Sequence, residues 1–552
     1  MKTLSKPTSR VGSRGARLGL AALVGLNLAL AGCRTATRLQ RLERRTAEAL
    51  EAVQRQEFSD SAPEDLRLEP YERFALPEGV EALHLDLRQT LALGARHSRD
   101  YQNAREDLYR QALSLVSARH DWDWIPASSF SALVGRNLAG PDTRADLDAD
   151  AGVSRRFLSG ARLTGSLAFY SLRYLSGDRE VSLGTLADVS LTQPLLAGSN
   201  REAIREPLTQ AERNLVYALR TFVRERKRLL ITLADDYYAV LSALDSLEIA
   251  RRNHRNLRDS RERSEAMAES GRVPLFQVDQ ARQRELDAQA SLIAREEAYE
   301  ASKDTLKQAL GLPIEIPIEL ERGDLEQLAK AALPRPPMEF EQAAAYALAH
   351  RLDWATTRDR QADAERQVRI TADALRARLD VTLAGRASSP SDDHLRSLAL
   401  DRGDYTVRLG GELPLDRTDE LIAHRQALIS ADQRARAVDQ ARDQIIADLR
   451  SAWRRLRSSE QNHQIQRLSV DLARQRVEST ELLFQAGRIN IREVLDAQDS
   501  LIAAENALTV ALVQHRMTWL RLMYQLEQLP TEPDTLWSPA LALQTVPDGA
   551  TP

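Results

Sequence analysis

Apolar residues recur at steps of three and four through two very long stretches of the chain. The first stretch, about 199–270, includes Leu208, Ala211 and Leu215 and contains no glycine. This spacing is typical of a coiled-coil seam. The second stretch, about 416–486, repeats the pattern. The sequence therefore predicts two helices of about 70 residues, each on the order of 100 Å long at about 1.5 Å per residue.

Each long helix ends at a Gly-Arg phrase that introduces a second amphipathic helix. The phrases are "GRVPLFQVDQARQRELDAQASL" from Gly271 and "GRINIREVLDAQDSL" from Gly487, which lie 216 residues apart. Glycine commonly ends a helix, and Pro274 suits the beginning of the next one. We therefore predict two long helical hairpins, one at about 199–310 with its turn at 271–274 and one at about 416–528 with its turn at 487–490.

A repeat of this size indicates that a whole structural half was duplicated, because solenoid repeats are far shorter. The phrase "LDLRQTLALGARHSRDY" pairs with "MEFEQAAAYALAHRLDW", so that Gln89 matches Gln342. Strand-like alternation of apolar and polar residues follows in both halves, at about 127–196 and about 379–415. The first of these stretches is longer and has room for one additional hairpin of strands.

The predicted fold class is mainly α with a portion of membrane β-strands, built from duplicated helix-strand-strand-helix halves. No run after the first 32 residues approaches the roughly 20 apolar residues of a membrane-spanning helix, so any crossing must use strands. The predicted organisation is a signal peptide at 1–32, an anchor and linker at 33–80, a first structural repeat at 81–313, an inter-repeat linker at 314–337, a second structural repeat at 338–530 and a tail at 531–552.

Composition argues against an enzyme and against nucleic-acid binding. Aromatic residues make up only 5% of the chain, as is typical of long helices rather than of a compact catalytic core. The nine histidines are scattered, and the sequence has no catalytic or phosphate-binding motif. The formal net charge of −4 offers no basic surface for nucleic acid. We expect no catalysis, no cofactor and no metal site.

The amino terminus has the pattern of a lipoprotein signal peptide. Five basic residues precede an apolar run from Leu18 to Ala29, which ends at "LAGC". Cys33 is the only cysteine of the chain. A buried cysteine is the alternative, but a thiol directly after such a run favours lipidation. "LAGC" resembles the bacterial lipobox, which implies acylation of Cys33, palmitate included, and anchoring to the outer membrane.

Duplicated halves behind a lipobox, with "SLTQPLL" before the first long helix and "GRINIREVLDAQDSL" at the second turn, resemble the TolC-type outer-membrane efflux proteins. The resemblance covers nearly the whole of residues 81–530. It implies a homotrimer in which an outer-membrane β-barrel is continuous with a long periplasmic α-helical barrel. The implied function is the passive channel of a tripartite efflux or secretion system, coupled through a periplasmic adaptor protein to an inner-membrane transporter.

The resemblance also implies functional residues at the hairpin turns. Glu493 and Asp496 lie on one helical face and match positions at which the family places acidic rings at the pore constriction. The alternative is a solvated helix N-terminus, where acidic residues are favoured in any case. A plain helix C-cap is likewise the alternative for both glycines of the turns. The expected contacts with the adaptor protein are Gly271, Arg272, Gly487 and Arg488.

Two departures from the family and two other functions stay open at this stage. Gln277 stands where the family often has a carboxylate, and Phe484 replaces a tyrosine, which implies a different or looser latch between the hairpins. One other function is a periplasmic coiled-coil scaffold or adhesin lipoprotein without a channel. The second is a component dedicated to type I protein secretion or to metal-ion efflux. The five methionines give no support to metal specificity.

Overall fold

The structure is a computed structural model that describes most of the chain. The described residues are 35–58, 68, 72–76, 81–136, 143–174, 182–336, 338–389, 403–413, 415–486 and 488–529. The predicted signal peptide, Cys33, Gly487 and the tail at 531–552 lie outside them. The chain forms two compact units, which we call the sheet unit (Met1–Leu68, Tyr109–Val216 and Arg378–Glu412) and the helical unit (Glu69–Leu108, Tyr217–Ala377 and Leu413–Pro552).

Long helices dominate the described residues, as predicted. The helices are α1 Thr35–Glu57, α2 Leu87–His97, α3 Arg99–His120, α4 Arg201–Glu269, α5 Leu275–Leu310, α6 Gly323–Lys330, α7 Phe340–His350, α8 Leu352–Ala374, α9 Thr418–Gln485 and α10 Ile491–Gln525. The strands are β1 Leu83–Leu85, β2 Ile125–Arg136, β3 Thr143–Arg156, β4 Arg162–Tyr174, β5 Ser182–Pro194, β6 Ile318–Leu320, β7 Arg378–Ser388 and β8 Asp404–Glu412. Among these helices, none is long and apolar enough to cross a membrane.

The duplication is visible where each half begins. The carboxylate of Asp86 accepts a hydrogen bond from the backbone N–H of Gln89 at 2.6 Å, and the Gln89 side chain accepts one from the backbone N–H of Asp86 at 3.1 Å. Glu339 and Gln342 form the same capping box at the start of α7. Such a box satisfies two backbone N–H groups that a helix start leaves unpaired. The predicted match of Gln89 to Gln342 therefore corresponds to one structural role in both halves.

The six long strands form a single antiparallel sheet in the order β2-β3-β4-β5-β7-β8. The first half contributes β2 to β5 and the second half contributes β7 and β8. The two groups join where β5 pairs with β7, for example with Leu191 opposite Leu383. The additional residues of the first half therefore add a hairpin to the same sheet.

The register gives this sheet one apolar face and one polar face, because side chains alternate along each strand. One row across four strands consists of Leu163, Leu191, Leu383 and Val407. Val407 is 77% exposed within the chain. The opposite face carries hydrogen-bonded polar pairs and, on β3, three carboxylates at alternate positions. Its residues include Thr164 and Ser190 at 2.7 Å, Thr192 and Thr382 at 3.2 Å, and Asp146, Asp148 and Asp150.

Large aromatic side chains fill the centre of the helical unit. Trp519, Tyr237 and Tyr238 are fully buried among leucines of α2, α4, α5 and α10. The Tyr237 hydroxyl donates a hydrogen bond to Asp324 at 2.7 Å. Burial, reinforced by this hydrogen bond and by the charge of Asp324, raises the pKa of Tyr237. The phenol therefore stays protonated and continues to donate to the carboxylate.

The end of α5 lies very close to the end of α2. Gly311 ends α5 with φ 75°, and the N–H of Leu312 donates to the Lys307 carbonyl at 2.9 Å. This is the Schellman ending of a helix, which requires a residue in the left-handed region. A Cβ atom on Gly311 would lie 2.2 Å from the carbonyl oxygen of His97. The position therefore excludes a side chain both by conformation and by space.

A buried group of charged side chains surrounds the end of α10. Glu527 is at φ 61°, the single non-glycine residue at positive φ in the described part of the chain. Its carboxylate accepts hydrogen bonds from Arg224 and Lys227 of α4. The side chains of Lys227 and Glu527 are only 9% and 6% exposed. Arg224 also lies 3.4 Å from Asp353 of α8. These ion pairs connect α4, α8 and the end of α10.

Candidate functional site

The first predicted contact site lies in a turn with a defined backbone pattern. The N–H of Arg272 donates to the Met267 carbonyl and the N–H of Gly271 to the Ala268 carbonyl, both at 2.9 Å. These bonds form a Schellman ending, and Gly271 supplies the required positive φ, at 71°. Gly271 and Arg272 are exposed, and a Cβ on the glycine would meet no described atom within 4 Å. The C-cap role of Gly271 is thus confirmed, and its contact role stays a prediction.

The second turn has an equivalent bond. The N–H of Arg488 donates to the Leu483 carbonyl at 2.9 Å, and Arg488 is exposed. Asn490 precedes α10 in an extended conformation without capping the helix through its side chain. Its side-chain oxygen instead accepts a hydrogen bond of 3.5 Å from Gln277, a buried residue near the start of α5. The amide at position 277 therefore joins the two turns where the resemblance implies a carboxylate.

A small apolar cluster lies behind this polar contact. It combines Leu257 of α4 and Ala288 of α5 with three residues at the start of α10, which are Ile491, Val494 and Leu495. Phe484, which replaces the expected tyrosine, packs against the same cluster. Its ring therefore contributes to packing. At this cluster the two hairpins are in mainly apolar contact, and the hydrogen bond from Gln277 to Asn490 adds a polar link between them.

The structure separates the two predicted acidic residues. Glu493 is exposed, and we find no ion pair for it among the described residues. Asp496 is half-buried, and its carboxylate lies 3.4 Å from Arg284 of α5 and 3.8 Å from Arg492. The charge of Asp496 is therefore partly balanced by neighbouring arginines, whereas the charge of Glu493 faces solvent.

Two residues that the sequence analysis missed belong to this site. Arg284 contacts Asp499 at 3.1 Å through one guanidinium nitrogen and Asp496 through the other. Burial raises the pKa of Asp499; Arg284 opposes this effect, and the carboxylates of Asp496 and Asp287 add to it. Asp499 continues the three-residue spacing of Glu493 and Asp496, which was an available signal. Arg284 had none, because it comes from the other half of the chain.

A second charged link joins the long helices farther along α10. Glu505 is largely buried and lies 3.3 Å from Arg252 of α4 and 3.0 Å from Arg474 of α9. The carboxylate of Glu505 thus links α10 to the first hairpin through Arg252 and to α9 of its own hairpin through Arg474. For the residues that the structure covers, no three His, Cys, Asp or Glu side chains are placed to share a metal ion.

Comparison with known families gives a match over both halves of the chain. A sequence model of the outer membrane efflux protein family matches residues 146–312 and 344–526. The matched ranges contain most of the sheet and both helical hairpins. They also contain every predicted site residue of the two turns. The match covers more than half of the chain.

Individual proteins agree with this match. The alkaline protease secretion protein AprF of Pseudomonas aeruginosa is 24% identical over 343 residues, which are 61% of this chain and 69% of AprF. The crystal structure of CusC, described in terms of transmembrane channel formation, has a TM-score of 0.60 at 16% identity and covers 83% of this chain and 98% of CusC. The outer membrane protein VceC of Vibrio cholerae has a TM-score of 0.59 at 16% identity, with 80% and 95% covered. The structural matches show a shared fold.

Proposed function

Because the chain belongs to the outer membrane efflux protein family, we propose that it is the outer-membrane channel of a tripartite export system. In this proposal, three copies form a passive conduit from the periplasm to the exterior. An inner-membrane transporter supplies the energy, and a periplasmic adaptor protein connects the two. Residues 1–32 are removed, and a lipid on Cys33 anchors the chain to the outer membrane.

The observation that carries the proposal is the open sheet with two unlike faces. At its edges, β2 pairs only with β3 and β8 only with β7 among the described strands. An open edge in lipid would leave backbone groups unsatisfied, so β2 of one copy must pair with β8 of another. Three copies with six strands each would contribute eighteen strands. Barrels of this size enclose an aqueous channel.

The alternation of side chains gives the two faces separate roles in such a barrel. The row through Leu163 and Val407 faces lipid, and the polar face faces the lumen. Asp146, Asp148 and Asp150 then line the pore. A scaffold or adhesin without a channel would have no use for this pattern, so we favour the channel.

We assign the pore constriction to Glu493 and Asp496 and the adaptor contact to the hairpin turns. Three copies would place six of these carboxylates around the constriction, where they attract cations and repel anions. The turns support a contact role because Gly271, Arg272 and Arg488 are exposed. Large apolar side chains beside the first turn are exposed as well, since Leu275 and Phe276 point away from the core. Gly487 completes the proposed contact.

Polypeptides are one candidate for the cargo that the channel exports. This candidate is favoured by the similarity to AprF, whose name describes protease secretion. A barrel of eighteen strands is also consistent with a wide conduit.

We expect the carboxylate of Glu493 to control ion selectivity more strongly than that of Asp496. Glu493→Gln will lower the potassium-to-chloride permeability ratio several-fold, on the order of fivefold, since a charge about 4 Å away in water contributes about 1 kcal/mol. Asp496→Asn will have a smaller effect because Arg284 and Arg492 already balance this charge. The measurement is the reversal potential of single channels in a planar bilayer under a salt gradient.

Arg284→Gln provides the matched control with the opposite sign. It removes the cation that contacts Asp496 and Asp499, so cation selectivity should rise. If folded, membrane-inserted trimers pass no ions in wild type and in Arg284→Gln, the channel proposal is wrong. If Glu493→Gln and Arg284→Gln shift the potassium-to-chloride permeability ratio in the same direction, the assignment of the constriction is wrong.

A further inference from the structure

An arginine of the sheet unit is held between two aromatic rings at the end of a strand. The guanidinium carbon of Arg155 lies 5.2 Å from the ring centre of Trp124 and 5.3 Å from that of Phe157. Such cation–π contacts fix the orientation of a guanidinium and are stronger when water is excluded. Trp124 is 49% exposed, so the outer side of this group is open.

The position of Arg155 on the sheet is unusual for a charged residue. Register and alternation place it on the apolar face with Val153, whereas the next residue, Arg156, lies on the polar face opposite Arg162. Arg155 is the last residue but one of β3, at the end of the sheet where β2 begins. A cation at the edge of an apolar face with an adjacent tryptophan is the arrangement found at membrane interfaces.

The guanidinium of Arg155 lacks an anionic partner in the described chain. None of the described carboxylates forms an ion pair with it, and its Nε is buried without a hydrogen-bond partner. The terminal nitrogens of the planar group can donate two parallel hydrogen bonds to a phosphate. The surrounding apolar face would contact hydrocarbon. A ligand that combines an anionic phosphate with acyl chains satisfies both surfaces at once.

We propose that Arg155, oriented by Trp124 and Phe157, binds the phosphate of a membrane phospholipid at the boundary between headgroups and hydrocarbon. The inference rests on the proposed placement of the sheet in a membrane. The site fixes the depth of the sheet, because a bound phosphate holds the end of β3 at the headgroup layer. The neighbouring Trp124 ring occupies the same layer.

Helix α1 supports the same partner. The four arginines of its first half, Arg38, Arg41, Arg44 and Arg45, are exposed, and Arg44 forms an ion pair of 3.1 Å with Glu48 one turn farther along the helix. Arg45 contacts Asp123, the residue directly before Trp124, at 3.4 Å. A cluster of basic residues near a membrane surface attracts anionic lipids. The basic segment therefore adjoins the Arg155 site and has a matching charge preference.

The test is native mass spectrometry of the full-length protein in detergent, titrated with phosphatidylglycerol. Arg155→Gln should weaken binding of the most tightly held lipid about tenfold, because it removes charge-assisted hydrogen bonds. Arg155→Lys should give an intermediate loss, since lysine keeps the charge but not the planar pair of donors. Arg156→Gln removes the same charge one residue away on the opposite face and should leave the affinity unchanged.

Three outcomes would overturn the lipid site. The first is equal lipid affinity in wild type and Arg155→Gln. The second is a loss of affinity in Arg156→Gln that equals the loss in Arg155→Gln. The third is displacement of the lipid by millimolar inorganic phosphate, which would indicate a site for a free anion. Single-channel conductance of the same preparations separates this inference from the proposed function. Conducting trimers without an effect of Arg155 contradict the lipid site alone, and Arg155-dependent lipid binding without conductance contradicts the channel alone.

Discussion

Glu527→Ala will lower the free energy of unfolding of the helical unit by about 3–5 kcal/mol, as expected when one partner of a buried ion pair is removed. The substitution leaves Arg224 and Lys227 without their shared carboxylate, and both are almost completely buried. Among the described residues, Lys227 then retains its hydrogen bond of 3.1 Å to the backbone carbonyl of residue 527, and Arg224 retains Asp353 at 3.4 Å. Thermal unfolding of the detergent-solubilised protein, followed by far-ultraviolet circular dichroism, measures the loss.

A matched control distinguishes burial from charge alone. Glu326 forms an ion pair with Lys330 on α6 in which both side chains are more than 70% exposed. Glu326→Ala should therefore cost less than about 0.5 kcal/mol. The stability loss of Glu527→Gln should lie between those of Glu326→Ala and Glu527→Ala, because glutamine keeps the shape of the side chain and loses its charge. Equal stability changes at positions 326 and 527 would show that the buried ion pairs do not hold the end of α10.

The long helices and the duplication could be predicted because they depend on local patterns. Steps of three and four between apolar residues define a helix wherever they continue, and the glycine at position 271 ends it for a conformational reason. Gln89 and Gln342 could be matched because a capping box has a fixed spacing. The alternation of the strands likewise predicted the sheet and the additional hairpin of the first half.

The contacts between strands and helices that are distant in the sequence could not be predicted from local patterns. The contact of β5 with β7 joins Leu191 to Leu383 across nearly 200 residues, and no local pattern specifies it. Arg284 was missed for the same reason, since its carboxylate partners lie on a helix of the other hairpin. No prediction for Glu527 followed from the sequence either. Nothing in its residue type indicated a positive φ or a buried carboxylate.

Gly311→Ala will destabilise the helical unit by about 3 kcal/mol or more. A side chain in the left-handed region costs about 1–2 kcal/mol by itself. At Gly311 the new Cβ would also lie 2.2 Å from the backbone oxygen of His97, which cannot rotate away as a side chain could. Separating the ends of α2 and α5 adds the cost of an overpacked core, about 1–3 kcal/mol. The apparent midpoint of thermal unfolding should fall accordingly.

Gly271→Ala is the matched control, because Gly271 has nearly the same φ of 71° but has no described atom within 4 Å of a new Cβ. It should cost only the conformational term, about 1–2 kcal/mol. The difference between the two variants therefore measures the close contact of Gly311 with α2. Similar losses in both would mean that α2 can move away freely, and His97 would then not fix the end of α5. A larger loss at Gly271 would contradict the open surroundings on which its proposed contact with the adaptor protein depends.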